Sequence, residues 1–198
     1  FIIMGLIVLA GLGFTVYRDI LANKKFKKFR LHTKIVLVMY AILIVIPAIV
    51  ILIVEWNNPR TMADLSIGGK FTAAMFQSVT PRTAGFFTID QAGITSTTLL
   101  ITMFLMFIGG APAGTAGGLK VTTFFALLQT TKANLRKQKD VTAFNRRIPT
   151  DNIGKATTLF MVSIIWVGVA TIILTISDGT NSISNLLYEV ISAYGTVG

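Results

Sequence analysis

Ile35-Val-Leu-Val-Met-Tyr-Ala-Ile-Leu-Ile-Val-Ile-Pro-Ala-Ile-Val-Ile-Leu-Ile-Val54 is a run of 20 uncharged, almost wholly aliphatic residues. At about 1.5 Å per residue a helix of that length reaches the roughly 30 Å of a bilayer's hydrocarbon core, so the stretch predicts a transmembrane helix. Pro47 removes one backbone donor inside it and predicts a kink, which membrane helices tolerate where a neighbour satisfies the freed carbonyl. The rest of the chain suits the same solvent. Of 198 residues, 53% are hydrophobic and 13% charged, with a mean hydropathy of +0.73, where soluble domains carry about 25% charged residues. A water-soluble globular enzyme is largely excluded, and disorder with it. There is no cysteine, which removes disulfides, iron–sulfur clusters and thiolate metal sites, and the single histidine, His32, leaves little for a zinc centre.

On the N-terminal side, Phe1–Tyr17 is apolar and uncharged and predicts a further span near the lower length limit, as if its start were missing. On the other side, Ala156–Ile176 predicts a third, with Thr157, Thr158, Ser163 and Thr171 able to bond helix carbonyls or neighbouring helices. Ser96–Thr130 is too long for one span and is interrupted. Because the chain opens at Phe1 and stops at Gly198 on an unfinished pattern, it is expected to be a fragment.

Charge sets the orientation. Arg18, Lys24, Lys25, Lys27, Lys28, Arg30 and Lys34 face only Asp19, and Lys132, Arg136, Lys137, Lys139, Arg146, Arg147 and Lys155 face only Asp140 and Asp151. Both segments are expected on the cytoplasmic side. Residues 55–97 balance three basic against three acidic groups, and 178–198 carry only Asp178 and Glu189, so both are expected outside. The net charge of +10 thus reflects topology. No zinc finger or aromatic RNA-binding motif accompanies the basic loops, so no nucleic acid is expected as a partner. Anionic membrane lipid or a cytoplasmic protein fits them better.

After the span at 35–54 come a polar stretch, the amphipathic run Phe71–Val79, and Thr80-Pro-Arg-Thr-Ala-Gly-Phe86. After the span at 156–176 come a polar stretch, Asn185–Ser192, and Ala193-Tyr-Gly-Thr-Val-Gly198. Laying Thr83-Ala84-Gly85 over Thr196-Val197-Gly198 gives an offset of 113 residues and the same order of elements twice, a supersecondary repeat. Each amphipathic run, about nine residues or roughly 13 Å as a helix, is too short to cross and predicts a dip into the membrane and back. Non-helical backbone at that depth lines protein or a wet cavity. Thr83, Ala84 and Gly85, with Gly195, Thr196, Val197 and Gly198, could therefore aim carbonyls at a dehydrated cation, at the negative ends of the short helices. The bland alternative is a pair of amphipathic segments lying on the membrane surface.

Within 96–130 the decad Gly109-Gly110-Ala111-Pro112-Ala113-Gly114-Thr115-Ala116-Gly117-Gly118 holds five glycines and a proline. It cannot continue an ordinary helix. A phosphate-binding loop would need Gly-Lys-Ser/Thr, which Leu119 interrupts before Lys120. A small-residue helix contact is the stronger rival, although Pro112 argues for a chain break.

The run Gln77-Ser-Val-Thr-Pro-Arg-Thr-Ala-Gly-Phe86, with Ser192-Ala-Tyr-Gly-Thr-Val-Gly198, resembles the third and fourth pore loops of the Trk/Ktr/HKT superfamily of potassium transporters, and within it the membrane subunits of bacterial Ktr systems. The resemblance implies an all-α integral membrane fold of repeated outer helix, pore helix, filter loop and inner helix units of potassium-channel type, with one broken inner helix. It assigns 1–17 to the inner helix of a preceding repeat, 18–34 and 132–155 to cytoplasmic basic loops, 35–131 to the third repeat, and 156–198 to the fourth up to its filter. It implies a multi-pass protein of the bacterial cell membrane, not an enzyme, that conducts K+ through a filter of Thr83, Ala84, Gly85 and Gly195 to Gly198. It makes Gly109 to Gly118 an intramembrane gate, with Lys120 either snorkelling or pairing locally, or acting electrostatically in that gate. It further implies a homodimer, a cytoplasmic ring of nucleotide-binding (KtrA-like) regulatory subunits, and sodium as an activator. Tyr194 stands where phenylalanine is more usual in the family. A secondary transporter with discontinuous helices and alternating access is the competing function.

Overall fold

The computed structural model describes residues 1–138, 140–177 and 182–198; Lys139 and Asp178, counted among the loop charges, lie outside them. It is helical. The elements are α1 (Ile2–Gly11), α2 (Phe14–Asn23), α3 (Leu31–Glu55), α4 (Ile67–Val79), α5 (Ser96–Phe107), α6 (Val121–Leu135), a two-residue-stranded hairpin β1 (Thr142–Ala143) and β2 (Arg146–Arg147), α7 (Thr150–Ser177) and α8 (Ile183–Tyr194).

α3 and α7 are long and apolar enough to span a bilayer. They extend the runs expected at 35–54 and 156–176 by a turn or so at their basic ends. α3 continues through Pro47, with the Ser78 hydroxyl of α4 donating 2.7 Å to the Ile44 carbonyl one turn before it. Proline leaves carbonyls in that turn short of partners, and a hydroxyl from a packed neighbour supplies one.

The expected single span at 1–17 is instead two helices, α1 and α2, meeting at 92°. Gly13, at φ +80, makes the corner. Hydropathy could not foretell this, because the residues stay apolar across the bend. The two helices expected to dip, α4 and α8, have 13 and 12 residues, longer than the nine expected, yet at about 1.5 Å per residue still short of a bilayer. Ser66 and Ser182 start them by accepting from the amides of Gly69 and Asn185. That is ordinary N-capping.

The C-terminal end of α3 is locked by Glu55, which is fully buried. One carboxylate oxygen accepts from Thr95 N (2.9 Å), Thr95 Oγ1 (2.7 Å) and Thr98 Oγ1 (2.5 Å); the other accepts from Asn58 Nδ2 (2.6 Å) and Thr61 Oγ1 (2.7 Å). A charge this deep is tolerated because donors surround it, and they tie the start of α5 to the end of α3.

The two basic segments share one end of the molecule. Leu31 and His32 of the first line a cavity of about 330 Å³ together with Ile148, Asn152 and Lys155 of the second. The hairpin turns on Phe144 and Asn145, both left-handed, as a tight two-residue turn requires. Ala143 and Ile148 bury against the core formed by α2, α3, α5 and α6. α8 packs against α5 and α7 through Met103, Met106, Val167, Val190 and Ile191.

Candidate functional site

The break expected between 96 and 130 is a closed loop. α5 ends at Phe107 and α6 begins at Val121. Between them the chain leaves and returns through a neck in which Ile108 and Leu119 pair as a parallel bridge. The neck bonds run from Leu119 N to Phe107 O (2.9 Å), Gly109 N to Leu119 O (2.9 Å) and Val121 N to Gly110 O (3.1 Å). Gly109 to Gly118 therefore bulge from a broken helix without melting either half. Part of the loop's polar backbone is satisfied by its own chain and part by packed neighbours.

One flank of the loop meets both repeat motifs. Thr83 and Thr196, at φ 58 and φ 54, turn their hydroxyls toward each other at 3.5 Å. β-branched residues seldom adopt that backbone conformation. The Gly117 amide donates to both hydroxyls, at 3.1 Å each, and Thr83 Oγ1 donates to the Gly195 carbonyl at 3.2 Å. A Cβ at Gly117 would strike the Thr196 side chain, so the approach requires glycine. Gly85 meets the carbonyl of Val197, and Ala84 lines a cavity with Thr83 and Thr115. Gly198, also at positive φ, carries a carbonyl that accepts from Ser192 Oγ at 2.8 Å. The residues named from the sequence thus converge, although they come from segments more than 110 positions apart.

The other flank of the loop rests on the corner between α1 and α2. Ala111 N donates to Gly11 O (3.0 Å) and Phe14 N donates to Ala113 O (3.1 Å). Tyr40 of α3, buried, donates through its hydroxyl to the same Gly11 carbonyl at 2.5 Å. A Cβ on Gly13 would come within 2.5 Å of Pro112 O. Sequence reading missed this cradle; Gly11-Leu-Gly13 inside an apolar run was the available signal. Lys120 lies at the neck, where Nζ donates 2.5 Å to Ala116 O. The bond is directed at the loop itself, a contact that both of its expected roles, local pairing and an electrostatic part in the loop, accommodate.

Arg82, also unremarked from sequence, is buried beside Thr83 with its guanidinium 4.6 Å from the centre of the Tyr40 ring. A cation over an aromatic face is attracted by the ring's quadrupole. Behind the first motif, Gln77 and Gln91 exchange amide hydrogen bonds of 3.0 and 3.1 Å, and Thr80 donates to the Phe86 carbonyl. Behind the second, Tyr194 stacks on Phe107 with ring centres 5.5 Å apart, and its hydroxyl meets Ser163 Oγ at 2.5 Å. The departure to tyrosine thus comes with a polar partner on α7.

Comparison with known proteins bears on the fold and the family. The chain is 39% identical to Ktr system potassium uptake protein B of Bacillus subtilis (strain 168) over 197 residues, which cover all of this chain and 44% of that protein. It is also 39% identical to potassium/sodium uptake protein NtpJ of Enterococcus hirae over 200 residues, again all of this chain and 44% of the relative. It therefore spans less than half the length of the curated relatives it matches. The fold matches the crystal structure of the potassium transporter TrkH from Vibrio parahaemolyticus with a TM-score of 0.73 at 15% identity, over 98% of this chain and 48% of that one. The family described as TrkH, cation transport protein, matches residues 1–198. By that full-length match and the relatives' identity, the chain belongs to the TrkH cation transport protein family.

Proposed function

We propose that this chain forms part of a potassium-translocating protein of the cell membrane, in which the loops around Thr83 and Thr196 supply two sectors of an ion filter and Gly109 to Gly118 form the barrier beneath it. The observation that carries the reading is the meeting of two repeat-related threonine hydroxyls at 3.5 Å with one loop amide bonded to both. An ion path at the repeat interface needs carbonyl and hydroxyl oxygens without fixed negative charge, because several such dipoles can replace the water of a monovalent cation. The relatives' names, potassium uptake and potassium/sodium uptake, support K+ as the ion and leave a place for Na+ as an activator.

On this reading residues 1–17 belong to the inner helix of a preceding repeat, 35–131 form a complete repeat and 156–198 most of another. The basic loops at 18–34 and 132–155 face the cytoplasm, where they would receive a ring of nucleotide-binding regulatory subunits, and the membrane protein is a homodimer. Rubidium uptake into liposomes containing the intact protein tests the reading. Uptake competed by potassium more strongly than by N-methylglucamine is expected, and excision of Gly109 to Gly118 is expected to raise it. No uptake by folded protein refutes the pore; lowered uptake on excision refutes the barrier.

A second reading, alternating access, is favoured by one observation: α1–α2 and α5–α6 are both discontinuous and their breaks face each other. Discontinuous helices hold substrates in secondary transporters. Slow flux that saturates with rubidium would select it over the pore.

A further inference from the structure

Gly117 donates a single N–H to two hydroxyl oxygens that belong to different repeats, and a third oxygen, the Gly195 carbonyl, lies 3.2 Å from one of them. Oxygens that gather round the positive end of an N–H dipole are equally able to gather round a small cation. A threonine hydroxyl keeps acceptor lone pairs while it donates, so Thr83 Oγ1 serves both Gly195 O and a guest. The backbone holds this cluster at a cost. Thr83 and Thr196 are β-branched residues at φ 58 and φ 54, a strained conformation that persists where the surroundings over-determine it. Both strained residues aim at the same point.

We propose that Thr83 Oγ1, Thr196 Oγ1 and the Gly195 carbonyl form a monovalent-cation site whose occupant, when the glycine-rich loop is docked, is the Gly117 N–H. A permeating cation and the docked loop exclude one another at this point. The proposal rests on the pore reading above and adds regulation to it: the transported ion loosens its own barrier. By linkage, a ligand that binds only the undocked state raises the ratio of undocked to docked loop by the factor 1 + [L]/Kd. Loop docking therefore weakens as potassium rises, and a docked loop lowers the affinity of the innermost site.

The test uses Ala116→Cys in an otherwise cysteine-free intact protein, because Ala116 is 3% exposed in the docked loop and becomes reachable only when the loop leaves. Labelling by a water-borne maleimide in proteoliposomes is followed in potassium chloride and in N-methylglucamine chloride at equal ionic strength, with rubidium flux measured on the same vesicles. The expected result is labelling about fivefold faster in potassium than in N-methylglucamine, the factor 1 + [K+]/Kd reached when potassium stands at about four times its dissociation constant for the undocked site. Thr196→Val should abolish this potassium dependence and Thr196→Ser should keep it; Thr83→Val and Thr83→Ser repeat the comparison at the other hydroxyl. Labelling that ignores potassium while rubidium flux persists overturns the competition and leaves the pore standing. Labelling that depends on potassium equally in the valine variants assigns the effect elsewhere and also overturns it. Absence of rubidium flux overturns the pore reading and this inference with it.

Discussion

Tyr40→Phe isolates the support beneath the glycine-rich loop. Tyr40 is 2% exposed, and its hydroxyl donates at 2.5 Å to Gly11 O, the carbonyl that also receives Ala111 N from the loop at 3.0 Å. Phenylalanine removes that donor and preserves the ring under Arg82. Gly11 O keeps the Ala111 amide, so no buried acceptor is orphaned, and the loss is one hydrogen bond, about 1 kcal/mol. If the cradle holds the barrier shut, that loss raises the undocked population by about fivefold, since 1.4 kcal/mol corresponds to tenfold. The assay is initial rubidium uptake in proteoliposomes at matched protein density and without any cytoplasmic partner. Uptake should rise by that factor while the thermal midpoint falls slightly. Uptake that is unchanged or reduced in a folded variant refutes the idea that the corner between α1 and α2 restrains the loop.

Gly13→Ala places a methyl group 2.5 Å from Pro112 O at a backbone φ of +80, and the strain of about 1–3 kcal/mol should raise rubidium uptake more than Tyr40→Phe does; equal or lower uptake counts against it. Glu55→Gln leaves at least two of five donors facing an amide, a loss of about 3 kcal/mol for hydrogen bonds to a charged group, and should lower the thermal midpoint in detergent while uptake per folded molecule holds. Ser163→Ala and Tyr194→Phe should each destabilise by about 1 kcal/mol, and the double variant by less than their sum, because both remove the same 2.5 Å hydrogen bond. Additive effects in calorimetry would show that this contact carries no coupling.

The spans were legible because composition over some 20 residues reports burial in lipid whatever the partners. The repeat was legible for another reason. The same short motif follows the same order of elements twice, so Thr83 and Thr196 align 113 residues apart from sequence alone, and their hydroxyls meet in the structure at 3.5 Å. The decad at 109–118 announced a break through five glycines and Pro112. What stayed hidden is directional or rests on the backbone. Hydropathy across Leu12 and Gly13 does not change when the chain turns through 92°. The bonds that seat the loop there join Ala111 N, Ala113 O, Gly11 O and Phe14 N, backbone groups that every residue type carries, save that proline lacks the N–H. The dipping helix α4 was read as shorter than it is because Gly68, Gly69 and Lys70 look like loop; the Ser66 cap and the carbonyl of Trp56, which accepts from Lys70 Nζ at 2.7 Å, admit them to its first turn. Phe144 in a left-handed turn defied residue preference altogether.

If Gly109 to Gly118 form the proposed barrier, its pinched neck governs how quickly that barrier can move. Because Phe107, Gly109 and Gly110 bond directly to Leu119 and Val121, the residues beyond them can swing like a flap on a hinge while α5 and α6 keep their ladders intact. Such a movement breaks a handful of contacts at the flap's two resting edges and belongs to the nanosecond-to-microsecond class of loop motions. Unwinding a helix would be slower and would send the disturbance through the whole bundle. On that reading the shutter is uncoupled from the frame that carries it.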